Sequence, residues 1–145
     1  MSYMNARSAM QQYKSMGTQG GIVDASPHRL IQMLLVGALD KIAIAKGHMD
    51  RGEIGAKGSH ISWAISIIGG LRTSLDPSAG GEIAANLERL YEYMERRLAQ
   101  ANIENNTAML DEVAALLGQV KSGWDAIAPA INGPQDVPAA SGLSR

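Results

Sequence analysis

Residues 106–127 read NTAMLDEVAALLGQVKSGWDAI, and within them Leu110, Val113, Leu117, Val120, Trp124 and Ile127 recur at alternating steps of three and four. That spacing puts the apolar side chains on one face of an α-helix and does not fit the two-residue alternation of a strand. Asn106 stands where a cap belongs, Asp111 and Glu112 lie in the opening turn where negative charge suits the helix dipole, and Pro129 supplies a stop. Three earlier stretches repeat the period. The spacing predicts a helix over 27–50 through Ile31, Leu34, Leu35, Ala38, Ile42, Ala45 and Met49, with Ser26 as cap, Pro27 at the first position and Asp50-Arg51-Gly52 as its end. A second is predicted over 54–75 through Ile61, Ala64, Ile65, Ile68, Leu71 and Leu75, halted by Asp76-Pro77 and the glycines at 80 and 81. Gly55 and Gly58 each weaken its first turns by about 1 kcal/mol relative to alanine, so that end is expected to fray. A third, over 82–102, carries Ile83, Leu87, Leu90, Tyr91, Met94, Leu98 and Ala101.

Turns of a few residues force each helix to run antiparallel to the one before it. The fold class is therefore all-α, an antiparallel up-down four-helix bundle over 26–131. Residues 1–25 differ in kind. Tyr3, Ala6, Met10 and Tyr13 follow a helical step, but this short helix is followed by the flexible run GTQGG. It reads as a mobile arm, with Tyr3, Met10 and Tyr13 as the side chains that would lay it over the bundle. Residues 132–145, rich in Gly, Pro, Ser and Ala, read as a disordered tail.

Composition narrows the chemistry. The chain has 145 residues, the size of one domain. Thirteen basic and fourteen acidic residues leave a formal net charge of -1, which offers no electrostatic footprint for nucleic acid. With no cysteine, disulfide scaffolds, thiolate metal sites and thiol catalysis are excluded. The longest apolar or glycine run, Met33 to Leu39, falls far short of the roughly 20 residues that span a bilayer, and the N-terminus lacks the pattern of a signal peptide. Membrane insertion is not expected, and a cytoplasmic location is.

The sequence calls for no cofactor or metal, and enzymatic activity is not expected. A di-iron bundle needs Glu-x-x-His pairs, yet Ala25, Ala45 and Lys57 stand three residues before His28, His48 and His60. No HExxH, CxxCH, GxxxxGK[ST] or GxSxG motif occurs. What exceeds the needs of a core is a second row on the first two helices. Leu30, Met33, Gly37, Lys41 and Ile44 lie one stripe from the core face on the first; His60, Trp63, Ile67, Gly70 and Ser74 do so on the second. Pairing the rows across the turn near residue 52 sets Gly37 opposite Ile67, and the two rows flank one groove. Small residues at Gly37 and Gly70 admit a helix backbone, and Met33 gives an adaptable lining. Leu30, Met33, Leu34, Gly37, Ile44, Trp63, Ile67 and Gly70 are thus the candidate binding residues. The same row could instead widen the core or receive the arm.

At these residues the sequence resembles the flagellin-specific secretion chaperone family, FliS. The likeness is carried by Tyr13, by Ser26-Pro27-His28-Arg29-Leu30-Ile31-Gln32-Met33-Leu34 with Gly37-Ala38, and by Leu75-Asp76 before Gly80-Gly81-Glu82-Ile83-Ala84. It continues through Asn86-Leu87, Leu90-Tyr91-Glu92-Tyr93-Met94, Arg97-Leu98, Ala101-Asn102, Leu110-Asp111-Glu112-Val113 and Trp124. Two departures stand out: Leu35-Val36 replaces the family's usual Tyr-Asp, and Gly55 and Gly58 sit where helix formers are usual. The resemblance implies a bundle that binds the disordered C-terminal region of flagellin in hydrophobic grooves, prevents premature polymerisation and presents the client to the flagellar type III export gate. It also implies that the N-terminal segment can occupy part of the site when the client is absent. The alternative is a helical adaptor for another partner, or a homodimer formed through the same groove.

Overall fold

In the computed structural model, which describes residues 25–127, the Ser26 hydroxyl accepts a hydrogen bond from the Arg29 amide at 3.1 Å, and Pro27 takes the first helical position. One orphan amide is satisfied, and the N–H that proline lacks would have had no partner there. Helix α1 follows over Pro27–Asp50, then α2 over Ile54–Thr73, α3 over Pro77–Glu104 and α4 over Thr107–Ala126. No strand occurs among the described residues, and the architecture is the expected all-α bundle. The arm residues Tyr3, Met10 and Tyr13, the end of the expected bundle at 128–131 and the tail 132–145 lie outside the described residues.

Helix α3 begins earlier than its apolar period predicts. The Asp76 carboxylate accepts from the Ser78 hydroxyl at 2.7 Å and from the amides of Ser78 and Ala79 at 3.1 and 3.4 Å. Asp-Pro, read as a stop for α2, is therefore also a start for α3: the aspartate caps it and the proline takes its first position. These bonds, the Ser78 hydroxyl first, hold the Asp76 carboxyl below its ordinary pKa. After one turn the helix breaks at Gly81, with φ 56° and ψ -127°, and resumes at the predicted Glu82. Asn105 closes α3 in the left-handed conformation, and the Asn106 side chain caps α4 by accepting from the Met109 amide at 3.1 Å.

Each helix packs against two others, α1 on α2 and α4, and α3 on α2 and α4. Cross-links between opposite ends show the antiparallel sense. Lys57 at the start of α2 donates to the Asn102 carbonyl and the Asn105 side chain at the end of α3, at 3.0 and 2.6 Å. These bonds anchor the glycine-weakened end of α2, which is regular helix from Ile54 onward rather than frayed. Arg72 near the end of α2 binds Glu95 at 3.1 Å, and Arg97 of α3 binds Glu112 of α4 at 2.9 Å. The Tyr93 hydroxyl donates to the same Glu112 carboxylate, while Tyr91 faces inward, 3% exposed, and burial pushes its phenol up to about 12.

The core joins Leu34, Leu35, Ala38, Ile42 and Ala45 of α1 to Ile61, Ala64, Ile67, Ile68 and Leu71 of α2. Tyr91, Met94, Leu98 and Ala101 of α3 and Leu110, Val113 and Leu117 of α4 complete it. Burying each large aliphatic side chain contributes about 1.5–3 kcal/mol, whereas the exposed ion pairs contribute about 0–1 kcal/mol each. Two residues assigned to the apolar stripes are not core: Ile83 is 71% exposed and Ile127 44%. Ile83 follows the Gly81 break, and Ile127 lies past the last turn of α4, so neither has a helix opposite it.

The seam between α1 and α4 is closed at one end by His28 and Trp124. Their rings stack with centroids 4.7 Å apart and planes 7° from parallel. His28 Nε2 lies 2.8 Å from the Trp124 carbonyl oxygen, so it carries the proton and donates. Trp124 Nε1 donates in return to the His28 carbonyl at 3.0 Å. Gln32 reaches Asp125 at 2.6 Å beside them.

Two outcomes follow from these features. Trp124→Leu removes the stack and one hydrogen bond, and should lower the unfolding free energy by about 2–3 kcal/mol in urea denaturation with an unchanged m value. Gly81→Ala places a Cβ on a backbone conformation that only glycine adopts readily, and should lower it by about 1–3 kcal/mol, read the same way.

Candidate functional site

The α1–α2 hairpin buries a charged side chain in its polar-apolar row. Lys41 is 2% exposed, and its ammonium lies 4.0 Å from the centroid of the Trp63 ring on α2. Such a contact stabilises the cation by about 0.5–2 kcal/mol, more as water is excluded. Burial pushes the Lys41 pKa below its ordinary value, and Asp40 opposes the shift. The row continues through His60, whose ring centroid is 6.2 Å from that of Trp63 and 5.2 Å from that of His48 on α1. His60 Nδ1 donates to the Ala56 carbonyl at 2.9 Å. His48 Nδ1 and Arg51 Nε both reach Glu53 Oε1, at 2.6 and 3.1 Å, and hold that carboxyl below its usual range.

Trp63 is also a wall. With Ile54, Gly55, Gly58, Ser59 and Ser62 it lines an open cavity of about 610 Å³ on the N-terminal half of α2. Its indole Nε1–H is buried and has no acceptor among the described residues. An added Cβ at Gly55 would meet nothing within 4 Å, and one at Gly58 would only touch the Asn102 side chain at 3.9 Å. No neighbour demands glycine at either place, and both weaken the helix. Their effect is to leave the α2 backbone bare as the cavity floor. Ile54 is 59% exposed, and Ile44 on α1 is 40% exposed.

The row predicted from sequence is only partly open. Leu34 and Ile67 are core residues, 2% and 0% exposed, which corrects their assignment to a surface groove. The buried stripe of α2 is wide enough to take in position 67 beside 64, 68 and 71. Met33, Gly37 and Gly70 are buried as well, Leu30 and Trp63 are half-buried, and only Ile44 is exposed. The structure brings Lys41 against Trp63 and moves the concavity toward the start of α2. Ile54, Gly55, Gly58, Ser59 and Ser62, which line that concavity, were not among the candidate residues read from sequence. Two glycines three apart within a predicted helix, next to an isoleucine at its first residue, were the signal for them. Among the described residues, no three His, Asp or Glu side chains gather as a metal site would require.

The family model for flagellar protein FliS matches residues 9–131. The chain belongs to the FliS family. Among curated FliS relatives, flagellar secretion chaperone FliSB of Pseudomonas aeruginosa is 55% identical over 124 residues, covering 86% of this chain and 98% of that protein. Flagellar secretion chaperone FliS of Salmonella typhimurium is 41% identical over 127 residues, covering 87% and 94%. That of Vibrio cholerae is 39% identical over 123 residues, covering 85% and 90%. The FliS match spans all four helices, so the cavity on α2 lies inside the family unit.

Because no neighbour occupies the space at Gly55, Gly55→Ala in this FliS chain should raise the unfolding free energy by about 0.5–1 kcal/mol in chemical denaturation.

Proposed function

We propose that this chain is a cytoplasmic flagellar export chaperone. It binds the C-terminal region of flagellin on its α1–α2 face, keeps it from polymerising early and presents it to the flagellar type III export gate. Membership of the FliS family supports the reading, as do relatives named flagellar secretion chaperones. No described helix is long and apolar enough to cross a membrane. The observation that carries the proposal is the family match over residues 9–131, and the exposed Ile44 and Ile54 give the α1–α2 face apolar surface for a client helix to cover.

The role is one of binding without chemistry. A disordered client segment must be ordered when it docks, which costs about 2–5 kcal/mol or more of the gross interaction energy. Affinity is thereby moderated, and release at the export gate becomes easier. Met33, Gly37 and Gly70, closed in the free chain, border the same face and are proposed to join the contact as the client seats.

The test is calorimetric titration with the C-terminal region of the flagellin from the same bacterium, followed by light scattering on the mixture. Ile44→Asp with Ile54→Asp should weaken binding about ten-fold or more while thermal unfolding stays cooperative, since both side chains are already exposed. Unchanged affinity removes the face assignment. A concentration-dependent dimer that ignores flagellin supports the adaptor reading in its place.

A further inference from the structure

We draw no further inference here: the strongest candidate, the open cavity on the N-terminal half of α2 with the Trp63 indole at its edge, belongs to the site already described, and nothing in the structure shows what covers it.

Discussion

Three of the four seams in this bundle join helices that follow one another through short turns; the fourth, between α1 and α4, joins the two ends of the helical chain and has no covalent help. The stack and reciprocal hydrogen bonds of His28 and Trp124 close it, with Gln32 on Asp125 alongside and Lys46 on Asp111 at 2.9 Å toward the far end. Without that closure the aliphatic core would be open along one edge, and Leu35 and Leu117, both fully buried, would face water. The rest of the packing follows from it, because α2 and α3 complete a square whose first and last members are already fixed.

Within that frame the bundle treats its buried polar groups unequally. His28 and Lys57 cross-link helix ends and are satisfied, so their burial serves the fold. Lys41 lies against the Trp63 ring on the seam between α1 and α2, and the indole N–H has no acceptor among the described residues. The same hairpin holds Gly55 and Gly58, which weaken a helix that has room for larger residues. Departures from the most stable arrangement thus gather on one face of the hairpin.

Much of this was legible in the sequence. Ser26 and Asn106 cap the helices they were expected to cap, and the periods of α1, α2 and α4 identify most core positions. The errors have physical causes. Asp76-Pro77 stops one helix and starts the next, and its spacing alone does not separate the two roles. Ile83 and Ile127 have the right period and no partner, because periodicity gives a direction around a helix but not whether another element lies that way. Leu34 and Ile67 were placed in a groove for the same reason: how far a buried stripe extends depends on the neighbouring helices. The cavity itself arises from side chains that are absent, at Gly55 and Gly58, and a reading based on apolar residues looks past them.

The His28–Trp124 closure also makes the bundle topologically close to a ring. Residues 25 and 127 emerge at the same pole, so a short linker between them, with the chain reopened at the exposed Gly52, would preserve all four seams in a circular permutant. Chain order is thus a weaker constraint on this architecture than helix adjacency.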